Sequence, residues 1–237
     1  MSDFEKLLRY YAGRVPALFR EIFSSKPAGL KSMDYNAYWQ AKGDMRFTGR
    51  CPVFASLIAP GASVLDIGCG EGTTLQYLTK KLAIKGEGVD ISSEAVKMAV
   101  KKGVAASQAD AAAADFRIHG VYDYIIISEV LEHVPNPEDL LEKVKGKFRK
   151  GLILSIPNTG HYIHRLRLLF GHFPVQWAYH PGEHLRFWTL SDFKVLLKAH
   201  GFEIAAVKTH SGVLLLHNVW PGLFADSVVF MVKERTR

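Results

Sequence analysis

Apolar and polar residues are patterned along most of this chain in blocks of strand length and helix length that follow one another. From Gly61 onward, each short apolar run is followed by a turn and then, in most cases, by apolar residues at helical spacing. The predicted strands are 63–67, 86–91, 104–109, 122–128, 152–156, 202–208 and 228–232, and predicted helices include 93–102, 137–148 and 191–200. Such alternation predicts an α/β fold with a doubly wound, mostly parallel seven-stranded sheet. The last two strands lack a long helix between them, which predicts an antiparallel edge.

A different pattern precedes this alternation. Apolar positions at helical spacing predict an amphipathic helix over the first 23 residues, and a run rich in Ser, Pro and Gly at 24–29 ends it. We therefore predict an N-terminal helical arm at 1–30 and one domain at 31–237, with a substrate-side insertion at about 157–188. The aromatic-rich segment 34–58 is expected to pack over that domain.

Composition and charge narrow the classes of protein. The 237 residues are 48% hydrophobic and 22% charged, which excludes a disordered chain. Two cysteines argue against a disulfide-stapled domain, and with no signal-peptide pattern at the start they predict a cytoplasmic location. No apolar stretch reaches the ~18 residues that a membrane span needs. The net charge of +7 attracts anionic partners, but the basic residues are scattered, so nucleic acid is not indicated.

A glycine loop lies between the first predicted strand and the following helix. Its sequence from Asp66 to Gly72 is DIGCGEG. The sixth position from Gly68 is Thr73, so the G-x-G-x-x-G spacing of dinucleotide-binding loops is absent. Asp66 would repel a pyrophosphate, but it suits a ligand with an ammonium group, while the helix N-terminus suits a carboxylate. The loop therefore predicts a nucleotide-like ligand that carries both charges.

Residues 64–72 resemble the first motif of the class I S-adenosylmethionine-dependent methyltransferases, and the resemblance covers roughly residues 34–210. It implies S-adenosylmethionine as cofactor. Asp90, 20 residues beyond Gly70, ends the second strand, where an acid can accept both ribose hydroxyls. Asp110 resembles the family's acid at the adenine amino group. The implied cofactor-binding residues are Asp66, Gly68, Cys69, Gly70, Asp90, Ile91, Asp110, Ala111, Ser128 and Glu129.

Narrower resemblances suggest what receives the methyl group. The runs SIPNTGH at 155–161 and GHFPV at 171–175 resemble MetW proteins, whereas EVLEH at 129–133 resembles ubiquinone-pathway O-methyltransferases and small-RNA 2′-O-methyltransferases. These resemblances imply methyl transfer to a small-molecule acceptor, with O-methylation favoured. Two alternatives stay open. One is a non-catalytic, MetW-like protein that binds the cofactor or supports a partner enzyme. The other is RNA 2′-O-methylation, against which no RNA-binding module or basic-aromatic block is found.

Histidines concentrate in the predicted insertion, where doubly wound enzymes place substrate contacts. His161, His164, Arg165 and His184 are the predicted acceptor-binding residues. They could hold an anionic acceptor, or form an ordinary solvated basic face. His133 is the candidate catalytic base, with a structural histidine as the alternative. Tyr38 and Trp39 either cover the sulfonium end of the cofactor or belong to the core.

The spacing Glu-x-x-Glu-His at 129–133 is also compatible with a metal site. In the ubiquinone-pathway and small-RNA enzymes the matching residues hold a divalent metal, and in the RNA enzymes a later histidine completes the set. The resemblance implies Glu129, Glu132, His133 and His184 as ligands of Mg²⁺ or Mn²⁺. The alternative is that Glu129 and Glu132 brace a helix start while His133 lines the pocket.

Overall fold

A single mixed sheet of seven strands forms the centre of the molecule. The computed structural model describes residues 15–23, 33–42, 49–176 and 183–235. The strands are β1 (Ser63–Ile67), β2 (Lys85–Asp90), β3 (Ala105–Gln108), β4 (Tyr122–Ser128), β5 (Phe148–Pro157), β6 (Phe202–Gly212) and β7 (Ala225–Glu234). Their order across the sheet is β3-β2-β1-β4-β5-β7-β6.

Helices join the strands and flank the sheet. Those in the described residues are α1 (Val15–Phe23), α2 (Tyr35–Lys42), α3 (Arg50–Ala55), α4 (Thr73–Leu82), α5 (Ser93–Lys101), α6 (Pro137–Lys143), α7 (Tyr162–Leu169), α8 (Leu190–Ala199), α9 (Leu216–Val219) and α10 (Pro221–Phe224), with a 3-10 turn at Leu131–His133. No helix of these described segments is long and apolar enough to cross a membrane.

The direction of the strands confirms the predicted α/β architecture. Strands β1 to β5 pair in parallel, and β7 pairs antiparallel with both β5 and β6. β4 carries the continuous apolar run Ile125, Ile126 and Ile127, all fully buried, because both faces of a parallel sheet are covered. The antiparallel edge predicted for the last two strands is confirmed. β7 inserts between β5 and β6, so the reversed strand lies one position inside the edge.

Helices pack on both faces of the sheet and close two cores. Leu140 of α6 and Phe193 of α8 are buried against one face. Phe54 of α3 and Leu75 of α4 are buried against the other. This two-sided burial fixes the strands, so the loops at their carboxyl ends are held in place.

One helix is shorter than the apolar spacing predicts. The helix predicted at 137–148 ends at Lys143, because Gly146 has a left-handed backbone (φ +70°) that cannot continue an α-helix, and β5 already begins at Phe148.

Of the predicted N-terminal helix, Val15–Phe23 is helical, and the rest of 1–30 lies outside the described residues. Buried Arg167 of α7 donates a hydrogen bond to the carbonyl of Ile22 at 3.2 Å, which fastens the end of α1 to α7. The division at residue 30 stays a prediction.

Candidate active site

One cavity of about 670 Å³ opens at the carboxyl ends of β1, β2 and β4. The chain order of the strands reverses between β1 and β4, which is where doubly wound sheets bind ligands. The walls of the cavity include all ten residues predicted to bind the cofactor, namely Asp66, Gly68, Cys69, Gly70, Asp90, Ile91, Asp110, Ala111, Ser128 and Glu129. We call the side formed by the glycine loop, Asp90, Asp110 and α2 the loop half. The side formed by Glu132, His133, His164, Gln176, His184 and Asp226 is the histidine half.

The glycine loop leaves no room for side chains at two of its positions. Gly68 has φ +79°, and a Cβ there would lie 2.3 Å from Cγ2 of Val130. Gly70 has φ +55°, and a Cβ there would lie 2.7 Å from the ring of Trp39. The backbone N–H groups of Gly68 and Cys69 both donate to the carbonyl of Val89, at 2.8 and 3.0 Å. The loop is thereby fixed to β2 with its backbone facing the cavity.

Two buried acids stand behind this loop. Asp90 accepts hydrogen bonds from the backbone N–H groups of Gly70 (2.8 Å) and Ser92 (2.9 Å), which orient its carboxylate across the loop. Asp66 is 3% exposed, and within the described part of the chain its Oδ1 has no hydrogen-bond partner. Burial and the nearby charge of Asp90 raise the pKa of Asp66 to about 7. An unpartnered buried carboxyl group is costly, and a cationic ligand group would satisfy it.

Helix α2 covers the loop half. The side-chain oxygen of Asn36 accepts a hydrogen bond from the hydroxyl of Ser92 (2.8 Å), which ties α2 to the start of α5. Trp39 is buried against Gly70, and Tyr38 lines the cavity beside it. Tyr35 lies edge-on to the ring of His133, with centroids 6.1 Å apart. The pair Tyr38–Trp39, for which the sequence left two roles open, thus lies over the predicted cofactor site.

The histidine half contains a cluster of three potential metal ligands. One ligand atom each from Glu132, His133 and His184 lies within 4.8 Å of the others. Glu132 is 1% exposed, and neither of its carboxylate oxygens has a hydrogen-bond partner among the described residues. Nδ1 of His133 donates to the carbonyl oxygen of Glu183, so Nε2 of its neutral ring carries a free lone pair. Burial lowers the pKa of His133, and lowers that of His184 to about 4.

Backbone contacts bring this cluster together from two distant segments. The carbonyl oxygen of Glu132, in the 3-10 turn after β4, accepts the N–H groups of Leu185 (2.7 Å) and Arg186 (3.0 Å). His184 precedes these donors and therefore lies beside the turn, with its ring centroid 4.8 Å from that of His133. The cluster thus depends on a contact across about 50 residues of chain.

Glu129 is directed away from this cluster. It has a left-handed backbone (φ +54°), and its Oε1 accepts hydrogen bonds from the hydroxyls of Ser155 (2.9 Å) and Ser227 (2.8 Å). The guanidinium of Arg50 lies 3.9 Å from the same oxygen. Burial, and the negative charge of Glu129, raise the pKa of Glu132 well above its ordinary value. The structure therefore brings together three of the four residues predicted as metal ligands.

The predicted acceptor-binding residues are placed unequally. His164 and His184 line the cavity, whereas His161 and Arg165 do not. His161 is buried at the start of α7, and Arg165 donates from Nε to the carbonyl of Gly160 at 2.7 Å. Sequence reasoning did not single out other lining residues, namely Tyr35, Lys42, Arg50, Gln176, Glu183 and Asp226. Glu183 stands next to the predicted ligand His184 in the chain, while Asp226 carries no sequence signal because it stands alone at the start of β7.

The fold is that of the class I S-adenosylmethionine-dependent methyltransferases, as the sequence predicts. Within that class, residues 48–232 match the family described as methionine biosynthesis protein MetW. The match covers most of the chain, and this protein belongs to the MetW family.

Other similarities are more distant. A ubiquinone biosynthesis O-methyltransferase of Burkholderia pseudomallei is 33% identical over 119 residues, covering 47% of this chain and 50% of the relative. The chain thus matches about half the length of that curated relative. A magnesium protoporphyrin IX methyltransferase from Synechocystis PCC 6803 was solved with bound S-adenosylhomocysteine (SAH). It has a TM-score of 0.55 at 20% identity, and the match covers 99% of this chain and 100% of the Synechocystis chain. A structure from Listeria monocytogenes described as an S-adenosylmethionine-dependent methyltransferase has a TM-score of 0.59 at 18% identity, and the match covers 79% of this chain and 97% of the Listeria chain. These structural similarities concern the fold.

Proposed function

We propose that this protein is an S-adenosylmethionine-dependent methyltransferase that acts on a small-molecule acceptor, with oxygen as the favoured methyl-accepting atom. The observation that carries the proposal is Oδ1 of Asp66, which has no hydrogen-bond partner in the described segments and lies behind a glycine loop that lines the same cavity as Asp90. Asp66 would receive the ammonium group of the cofactor, and Asp90 the ribose hydroxyls. The name of the Burkholderia relative supports O-methylation.

In the reaction, the protein would align the cofactor with the acceptor, exclude water and hold a proton. S-adenosylmethionine supplies a methyl group that its sulfonium already activates. His133 lines the cavity, and its Nε2 lies 3.7 Å from Oε1 of Glu132. Because Nδ1 of the neutral ring carries the proton, the lone pair of Nε2 would take the proton that an acceptor hydroxyl loses as the new C–O bond forms and the C–S bond to the cofactor breaks. Trp39 and Tyr38 of α2 would shield the reacting groups from water.

Calorimetric titration tests cofactor binding directly. We expect the wild type to bind S-adenosylmethionine and SAH at micromolar concentrations, and Asp90→Ala to bind more weakly by about 1–3 kcal/mol, the value of charged hydrogen bonds. Asp115→Ala, at an exposed position outside the cavity, is the matched control. Failure of the wild type to bind either compound below millimolar concentrations would overturn the proposal.

A divalent metal in the histidine half is a second, narrower proposal. The buried carboxylate of Glu132 and the unpartnered Nδ1 of His184 fit a metal ligand set, as does the free Nε2 of His133. One carboxylate with two imidazoles suits Mn²⁺ better than Mg²⁺, which prefers oxygen ligands. Such a metal would lower the pKa of an acceptor hydroxyl. His133 could not then also act as the base, because one lone pair of Nε2 cannot serve both roles.

Metal removal separates the two roles of His133. With a metal, EDTA lowers the melting temperature and added Mn²⁺ restores it, whereas Glu132→Gln responds to neither. Glu203→Gln, on the exposed side of β6, should behave as the wild type. If the wild type is indifferent to EDTA and Mn²⁺, the metal proposal fails and His133 remains the candidate base.

Membership of the MetW family supports a second function, in which the protein binds the cofactor without turnover and assists a partner enzyme. Cofactor binding is common to both functions, so it does not separate them. Co-purification with a stoichiometric partner, together with no methyl transfer to a broad panel of acceptors, would favour this second function.

A further inference from the structure

One wall of the histidine half carries three polar side chains from elements that do not contribute to the Glu132 cluster. They are His164 of α7, Gln176 of the following segment and Asp226 of β7, and all three line the cavity. We call this set the Asp226 wall. It is distinct from the Glu132 cluster and from the loop half.

The Asp226 wall is held in place by buried groups behind it. Asn158 is fully buried. Its backbone N–H donates to the carbonyl of Asp226 at 2.8 Å, and its side-chain amide donates to the carbonyl of Ala225 at 2.9 Å. Thr159 donates its hydroxyl to Oε1 of Gln176 at 2.8 Å. The wall is therefore built by fixed backbone and side-chain contacts.

Asp226 has no cationic partner of fixed charge among the described residues. Nε2 of His161 lies 3.4 Å from its Oδ1; the His161 side chain is buried, whereas that of Asp226 is 58% exposed. Burial lowers the pKa of His161 against the opposing charge of Asp226. Burial beside His161 and Arg167 lowers the pKa of His164 to about 4, so the ring of His164 is neutral at pH 7. Nδ1 of His164 is buried without a hydrogen-bond partner in the described segments.

The fixed cations that line the cavity have carboxylates near them. Arg50 lies 3.9 Å from Glu129, and Glu183 acts on the charge of Lys42. Arg165 and Arg167 of α7 do not line the cavity, because Arg165 binds the carbonyl of Gly160 and Arg167 binds the end of α1. The charged side chain that an acceptor meets on this wall is therefore the carboxylate of Asp226.

We propose that the Asp226 wall binds a protonated amine, or a comparable cationic nitrogen, on the methyl acceptor. This inference rests on the proposed function, because it assigns the acceptor's chemical class. Asp226 accepts a charge-assisted hydrogen bond from the nitrogen, and the neutral ring of His164 accepts a second one. The methylated oxygen lies toward His133, so the acceptor carries a hydroxyl and an amine on opposite sides. This proposal replaces the anionic acceptor predicted from His161, His164, Arg165 and His184 with an acceptor that is positively charged on this side.

Three fragments that share one ring test the charge preference. Benzylamine, benzyl alcohol and benzoate are titrated by NMR into protein saturated with SAH. We expect benzylamine to bind at least about tenfold more tightly than benzoate, the size of one charge-assisted hydrogen bond, with benzyl alcohol between them. Asp226→Asn should bring the ratio of benzylamine to benzoate affinity close to one. Asp115→Asn, which removes the same charge outside the cavity, should keep the ratio.

Each contrary result overturns the proposal. Benzoate binding as tightly as benzylamine would do so, as would a preference that survives in Asp226→Asn, or no binding by any fragment. The melting temperature of Asp226→Asn should stay at the wild-type value, since this exposed carboxylate supports no other described side chain than His161. If SAH itself does not bind, the proposed function fails. The same titration without SAH then judges the Asp226 wall independently.

Discussion

The two halves of the cavity satisfy their polar groups in different ways. In the loop half, Asp90 holds two backbone N–H groups, and the loop N–H groups of Gly68 and Cys69 bind β2. In the histidine half, neither carboxylate oxygen of Glu132 has a hydrogen-bond partner among the described residues, and His164 and His184 each have a buried nitrogen without one there. In the loop half, the same holds for Oδ1 of Asp66, at the place proposed for the cofactor's ammonium group.

This difference shows how a fold divides stability from function. The loop half is braced by hydrogen bonds of its own backbone, and these bonds need no ligand. The histidine half leaves hydrogen-bonding capacity unused, and unpartnered buried polar groups cost free energy of folding. That cost is typical of positions kept for a ligand rather than for the fold.

The largest expected effect concerns Asp66 in the loop half. Asp66 has a pKa of about 7 in the folded protein against 3.8 for the free side chain, mainly because of burial. The folded state holds the proton of Asp66 more tightly than the unfolded state does. The stability that results is fully present below about pH 4, decreases as the pH rises, and is lost once the pH has passed about 7. Asp66→Asn should therefore gain up to about 4 kcal/mol in unfolding free energy relative to the wild type between pH 4 and pH 8. Denaturant titrations at both pH values measure this gain.

A control with the opposite sign accompanies that prediction. The backbone N–H of Ser63 lowers the pKa of Asp123, so Asp123→Asn should lose stability at neutral pH rather than gain it. Asp66→Asn should also bind SAH more weakly than the wild type. The contrary result is an unfolding free energy of the wild type that does not fall relative to that of Asp66→Asn as the pH rises. It would show that the Asp66 carboxylate has hydrogen-bonding or charged partners in the folded state.

A smaller effect tests the rigidity of the loop half. Gly68 (φ +79°) and Gly103 (φ +80°) have the same backbone strain for alanine, but only at Gly68 would a Cβ meet a neighbour, at 2.3 Å from Val130. We expect Gly103→Ala to cost about 1 kcal/mol and Gly68→Ala about 2–4 kcal/mol, with loss of SAH binding. Chemical denaturation and calorimetry give both quantities. Equal costs for the two variants would mean that the loop yields to a side chain.

The smallest effect compares two adjacent imidazoles of the histidine half. His133 donates a hydrogen bond to the carbonyl of Glu183, whereas His184 makes ring contacts and leaves Nδ1 unpartnered. His133→Leu should lower the unfolding free energy by about 1–2 kcal/mol, and His184→Leu should change it by less than about 0.5 kcal/mol. Thermal unfolding in EDTA makes the comparison free of metal. A larger loss for His184→Leu would place that ring among the groups that stabilise the fold.

Prediction from sequence succeeded where the relevant signal is local. Glycines at fixed offsets after a strand indicated the turn around Gly68, and an acid at the end of the next strand indicated Asp90. Parallel strands end at one edge of a sheet, so residues from separate strand ends meet without further information. Prediction missed the end of α6, because the apolar spacing continues past Lys143 although Gly146 reverses the backbone.

The sequence by itself determined the doubly wound sheet, its antiparallel edge and the placement of the loop half, since periodicity and turn residues act over a few positions. Only the tertiary structure decided which polar groups share the histidine half. Glu132 meets His184 through backbone hydrogen bonds to Leu185 and Arg186, and Glu129 turns instead toward Ser155 and Ser227. Asp226 reaches the cavity because β7 inserts between β5 and β6. Contacts between segments so far apart depend on how the whole chain packs, and no local pattern encodes them.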